Sequence, residues 1–121
     1  MHRLLLATAL PGALALVAAC ADRLDAAPPA GAERGRQLLA QYHCGSCHTI
    51  PGVAAARGTL AVTLDGIGRR SYLAGHVPNG DAQLVQWIAD PASLVPGTTM
   101  PRMGVSAQDA RDIAAYLRGL H

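Results

Sequence analysis

Two cysteines separated by two residues, with a histidine immediately after them, are the side chains of this sequence best placed to do chemistry: Cys44-Gly45-Ser46-Cys47-His48. This C-x-x-C-H run is the attachment signature of a c-type haem. Its two sulfurs can form thioethers to the vinyl groups of a porphyrin. The two intervening residues let one turn of backbone present both sulfurs to one edge of a flat macrocycle. His48 then sits under the iron as its proximal ligand. Three other chemistries compete for a C-x-x-C. A thioredoxin-like redox pair sits near a βαβ pattern, and no strand–helix alternation is visible here. A zinc site needs two further Cys or His ligands at short spacing. His2, His43, His76 and His121 are scattered, and there is no second C-x-x-C. A structural disulfide would give His48 no role.

The opposite side of the iron decides the chemistry. A thioether there gives a closed, high-potential centre suited to electron transfer. An open position would permit ligand binding or catalysis. Met100 and Met103 are the only methionines after the leader, and both lie late in the chain. Met100 stands in Pro96-Gly97-Thr98-Thr99-Met100-Pro101, whose prolines stiffen the loop and could hold the sulfur in place. Met100 is the expected sixth ligand; Met103, His76 or an open site are the alternatives.

Helices must position these groups. From Ala32 to His43, Gly35, Leu38, Leu39 and Tyr42 recur at helical spacing and lead straight into the cysteines. Thr49 to Gly80 is glycine-rich, contains Pro51 and Pro78, and shows no sustained period. It reads as a loop that wraps the haem, with a helical turn expected near Arg70 to Ala74. A second helix is expected from Asp81 to Ala89, with Asp81 as N-cap, Leu84, Trp87 and Ile88 on one face, and Pro91 ending it. Pro91 to Val105 is a second loop. The last helix starts at Ser106, where Ser-x-x-Asp to Asp109 resembles a capping box, and Ala110, Ile113, Tyr116, Leu117 and Leu120 give its apolar stripe. The fold class is all-α.

Residues 1–19 read as an export signal: His2 and Arg3, then an apolar run from Leu4 to Val17, then small residues. The run is shorter than the roughly 20 residues of a membrane span. Val17-Ala18-Ala19-Cys20 resembles a bacterial lipobox, which makes Cys20 the expected lipidated first residue of the mature chain. Residues 20–31, with Pro28-Pro29, read as a flexible tether, and 32–121 as the domain. Three cysteines then divide into one for lipid and two for haem. Export agrees with the motif, because c-type haem is attached outside the cytoplasm. The expected location is the periplasmic side of a bacterial membrane. Asp22 is the third mature residue rather than the second, which tilts toward an outer membrane.

All ten basic residues are arginine, and only Arg3 precedes Cys20. The mature side chains therefore sum to +1, and two haem propionates would bring that near −1. Nothing suggests nucleic acid. Aromatic residues are few, namely Tyr42, Tyr72, Trp87 and Tyr116 without any Phe, so a buried porphyrin reads as part of the core.

These residues together resemble class I cytochromes c of bacterial respiratory chains. The resemblance covers about residues 31–121 and rests on C-G-S-C-H after an amphipathic helix, the P-G-T-x-M-P segment and the terminal D-I-A-A-Y-L. Leu64 to Arg70 and Trp87 to Pro91 are typical as well. It implies three main helices wrapped around one covalent haem, the first and last crossing at right angles. Gly35 would permit that approach, with Ile113 and Tyr116 packing over it. Arg69 or Arg70, Tyr72 and Trp87 would face the propionates. Family members often carry Gly-Pro just before Leu-Asp-Gly, where a carbonyl holds the proximal histidine's N–H. Here Ala61, Val62 and Thr63 stand in that place, so the loop is less stiff, although any carbonyl can accept the bond.

The function implied is single-electron transfer with His48 and Met100 as iron ligands and no catalysis, between a quinol–cytochrome reductase-type donor and a terminal oxidase or reductase. The alternatives are a fixed haem c subunit of a membrane oxidase or dehydrogenase complex, or a haem enzyme or gas sensor with an open iron site. The absence of lysine argues for apolar and weakly polar contact with partners rather than a basic docking ring.

Overall fold

The computed structural model describes residues 28–121. The expected signal (1–19), the Cys20 lipidation site and most of the tether (20–31) lie outside the described residues. The element order is α1 (Ala32–Gln41), a 3₁₀ turn over Cys44–Ser46, a second over Ile67–Arg69, β1 (Tyr72–Leu73), β2 (Val77–Pro78), α2 (Asp81–Ala89), α3 (Pro91–Leu94) and α4 (Ala107–Arg118). The fold is mostly helical. Among the described residues, no helix is long and apolar enough to cross a membrane.

α1 begins at Gly31 in the left-handed region and ends because His43 takes φ +55°, a conformation that L-residues adopt at a cost and that no helix continues. The chain then folds directly into the Cys44–Ser46 turn. α2 starts where expected, but the cap residue is Gly80 and Asp81 occupies the first turn, where its charge suits the helix dipole. α4 begins as the sequence indicates: Ser106 Oγ accepts from the Asp109 N–H at 3.1 Å. The capping box stays half-formed, because the Asp109 carboxylate turns to Tyr42 and Arg34 on α1.

Two expectations need correction. The helical turn near Arg70 to Ala74 is instead a 3₁₀ turn ending at Arg69 and a two-stranded hairpin pairing Leu73 with Val77. Ala74 and Gly75 both take positive φ, which is what a tight hairpin turn of matching twist requires. Pro91 does not simply end α2; it opens α3, because proline suits the first helical position.

α1 packs on α4, and α2 packs on α4 beside it. Leu38, Leu39, Ala110, Ile113 and Leu117 meet at the core with Ile50, Leu64, Ile67, Leu73, Leu84 and Ile88. Gly35 is buried where the helices touch. A Cβ built there would lie 1.9 Å from the Asp112 carbonyl oxygen and 2.9 Å from the Ile113 nitrogen. The contact therefore admits glycine and nothing larger. A polar lock flanks it. Arg34 donates to Asp112 and to Asp109, the latter at 2.5 Å, and Tyr42 OH donates to Asp109 at 2.7 Å. Gln108 Nε2 completes the shell of the buried Asp112 carboxylate at 3.0 Å.

Candidate functional site

The C-x-x-C-H segment is short-range structure that leaves its chemical groups available. The Cys47 N–H and the His48 N–H both donate to the Cys44 carbonyl, at 3.3 and 3.0 Å. One turn thereby gathers both cysteines and the histidine. Neither cysteine is in a disulfide, and both are half-buried. Burial pushes the Cys44 thiol above its ordinary pKa. Gly45 is forced by packing: a Cβ there would lie 2.5 Å from Ala56 Cα.

His48 is oriented by the loop that follows. Its Nδ1 lies 2.6 Å from the Val62 carbonyl oxygen. A carbonyl accepts only, so Nδ1 carries a proton, and in the neutral ring this leaves the Nε2 lone pair free. That is the tautomer of an imidazole that ligates a metal. The departure at residues 61–63 thus leaves the orienting bond in place. The loop is fixed at several points: Ala61 N–H to Cys47 O at 3.0 Å, Leu64 N–H to Thr49 O at 2.9 Å, and Gly58 N–H to Gly45 O at 3.0 Å. Gly58 has no room for a side chain, since its Cβ would lie 2.5 Å from the Cys47 carbonyl carbon.

Met100 is half-buried in the segment between α3 and α4. Its N–H donates to Thr98 Oγ1 at 3.2 Å and the Thr98 N–H donates to Val95 O at 3.1 Å. Met103 is more exposed, at 41%. His76 is exposed at the hairpin, its N–H closing the turn to Leu73 O. Of the expected propionate residues, Tyr72 and Arg69 are exposed and Trp87 packs against the core. Arg70 does something the sequence did not show. One guanidinium nitrogen donates to Thr63 O at 2.7 Å and to Asp65 O at 2.8 Å. The Arg34–Asp109–Asp112–Tyr42 lock was missed as well. The single available signal was an acid, Asp112, placed inside the apolar run of α4.

The donor set suits a covalent porphyrin. A turn carries two thiols, the next residue is an imidazole oriented through Nδ1, and a thioether lies on a separate proline-bounded loop. Leu60 and Val62 beside the histidine loop, Tyr72 on the hairpin and Met103 beside the methionine loop are large apolar side chains left exposed, Leu60 at 85% and Val62 at 66%, the kind of surface a flat apolar group covers. Among the described residues, no three His, Cys, Asp or Glu side chains gather into a metal site of their own. A depression of about 720 Å³ between α2 and α4, lined by Val85, Ala89, Ala114 and Arg118 among others, includes neither motif cysteine, nor His48, nor Met100.

Comparison with known proteins agrees with this geometry. The family model described as Cytochrome c matches residues 32–121. A cytochrome c oxidase subunit 2 from Alkalihalophilus pseudofirmus (strain ATCC BAA-2126 / JCM 17055 / OF4) is 37% identical over 90 residues, covering 74% of this chain and 25% of that protein. The chain thus matches about a quarter of the length of that relative.

Proposed function

This chain belongs to the cytochrome c family, and we propose that it carries single electrons in a respiratory chain through a haem whose iron is held by His48 and Met100. Family membership brings covalent haem c and electron transfer with it. The observation that carries the ligand assignment is the 2.6 Å contact of His48 Nδ1 with Val62 O, which leaves the other ring nitrogen as a lone-pair donor beside two free cysteines. When bound, haem c supplies a one-electron iron couple. The chain's own residues do the rest. Cys44 and Cys47 would tether the group, His48 would present Nε2 while Val62 holds Nδ1, and Met100 would offer a soft thioether, a ligand that favours reduced iron and a higher potential. Neither side of the proposed ligation requires a moving element, which suits electron transfer.

The donor in this reading is a quinol–cytochrome reductase-type complex, and the acceptor is a terminal oxidase or reductase. The absence of lysine suits apolar and weakly polar contact with such partners. Cys20 anchors the mature chain by lipid on the periplasmic side. Replacing Cys20 by Ser would release the protein from washed membranes. A second reading is supported by the oxidase subunit 2 relative: the chain is a fixed haem c subunit of a membrane complex. Purification from membranes in mild detergent separates the two, as a free monomer or as a stable complex.

The central test is the optical spectrum of oxidised and reduced holoprotein beside Met100→Ala. A sulfur-to-iron charge-transfer band in the oxidised form, lost in the variant, is expected. A high-spin spectrum, or a band that survives the substitution, would overturn the Met100 assignment in favour of Met103, His76 or an open site.

A further inference from the structure

We propose that Arg70 is a positioning residue for His48: its guanidinium pins the 62–65 loop so that the Val62 carbonyl stays on the histidine Nδ1. The inference rests on the reading of His48 as the proximal ligand. The loop needs such a device. Val62 is 66% exposed, and its own N–H is absent from the backbone hydrogen bonds. No proline ring fixes φ in residues 59–66. The carbonyl that orients the imidazole therefore depends on the peptide planes around it. Ala61 is held from behind by Cys47 O, and Leu64 from ahead by Thr49 O. The carbonyls of Thr63 and Asp65, just past Val62, both point to one Arg70 nitrogen at 2.7 and 2.8 Å. Two consecutive tight turns, Ile67 N–H to Leu64 O and Arg70 N–H to Ile67 O, bring the arginine back over the residues it holds. A charged donor shared by two carbonyls is stronger than a neutral bond. Both bonds leave the terminal Nη2, one bond farther from the backbone than a lysine ammonium reaches.

Arg70→Lys separates this role from simple charge, because it keeps the charge but ends one bond short of the nitrogen that holds the two carbonyls. In holoprotein with ¹⁵N-labelled histidine, the clamp predicts roughly tenfold faster solvent exchange of the His48 Nδ1–H, the equivalent of about one hydrogen bond. It also predicts an upward shift of the midpoint potential, because a less firmly bonded imidazole is a poorer donor to oxidised iron. Adding Val62→Pro to Arg70→Lys should return both readouts toward the starting values, since the ring restores the lost stiffness. Arg70→Gln is the second variant: loss of the two carbonyl bonds still speeds exchange, whereas loss of charge alone only lowers the potential. Unchanged exchange and potential in Arg70→Lys, with a fall only in Arg70→Gln, would overturn the clamp and assign Arg70 to charge near the haem. If the His48 ring resonances of the oxidised protein lacked paramagnetic shifts, the ligand reading would fall, and the clamp with it. Shifted resonances with no effect of Arg70→Lys would remove the clamp alone.

Discussion

Gly35→Ala tests whether the contact between α1 and α4 is as close as the backbone shows. The added Cβ would lie 1.9 Å from Asp112 O, 2.5 Å from Asp112 C and 2.9 Å from Ile113 N. Ordinary non-bonded contact begins near 3.5 Å, so the helices must part by about 1.5 Å. All three obstacles are backbone atoms in the middle of α4, so no rotamer change relieves them. Parting the helices loosens Leu38 and Leu39 against Ala110, Ile113 and Leu117, and stretches the bonds of Arg34 and Tyr42 to Asp112 and Asp109. Overpacking of this kind costs about 1–3 kcal/mol, and the rigid obstacle places it at the upper end. The better helix propensity of alanine returns about 1 kcal/mol. The net loss expected is about 2 kcal/mol, or a Tm lowered by roughly 10 °C for a domain of this size. Thermal unfolding of the holoprotein followed by far-ultraviolet circular dichroism gives the number. A variant as stable as the parent would show that the helices yield there, and would refute the argument that the contact dictates glycine.

Two further perturbations probe the lock and the hairpin. The Tyr42 hydroxyl first, and Arg34 second, hold the Asp109 carboxyl below its ordinary pKa; a group depressed in the folded state adds stability above its unfolded pKa, near 3.9, and that stability is lost as pH falls through the folded value. Asp109→Asn should therefore flatten the fall of stability below about pH 4 while lowering stability at pH 7, and denaturant unfolding at both pH values decides it, an unaltered acid limb being the contrary result. Ala74 sits at φ +46° in the hairpin turn, so Ala74→Gly should raise stability by about 0.5–1 kcal/mol, the left-handed strain of alanine exceeding the entropy of glycine; a lower Tm would contradict it.

How much of this was legible in the sequence follows from the range of the interactions. α1, α2 and α4 were readable because their apolar positions recur at the helical period, and Ser106 announced the start of α4 through a bond three residues long. The haem motif was readable for the same local reason. The hairpin was not, because strands of two residues carry no alternation and Ala74 does not advertise a positive φ. α3 escaped because four residues leave no period and Pro91 reads equally as a stop or a start. Arg34 meets Asp109 and Asp112 across more than 70 positions, and no local pattern pairs charges at that distance. The family resemblance offered Arg69 or Arg70 to the propionates; the bonds from one Arg70 nitrogen to backbone carbonyls were not legible, because such a target has no letter in the sequence.

The two sides of the proposed iron site are built with unequal firmness. The His48 side is tied by Nδ1 to Val62, by its own N–H to Cys44, by the Cys47, Gly58 and Leu64 backbone bonds and by the Thr49–Arg57 bridge. Its neighbours Ile50, Val53, Ala56 and Leu64 are buried. The Met100 side hangs on Thr98 and on an exposed Arg102–Asp90 pair at 3.8 Å, which water screens to little value. From Pro96 to Gly104 the residues are exposed or half-buried, and only Val105 at the end of the loop is buried. Local opening costs least where buried contacts and backbone bonds are fewest. In the proposed ligation, the 95–105 loop is therefore the segment whose opening would free the Met100 position while the cysteines and His48 keep their places. On the firmer side, where no proline stands in residues 59–66, the two carbonyl bonds of Arg70 are among the ties.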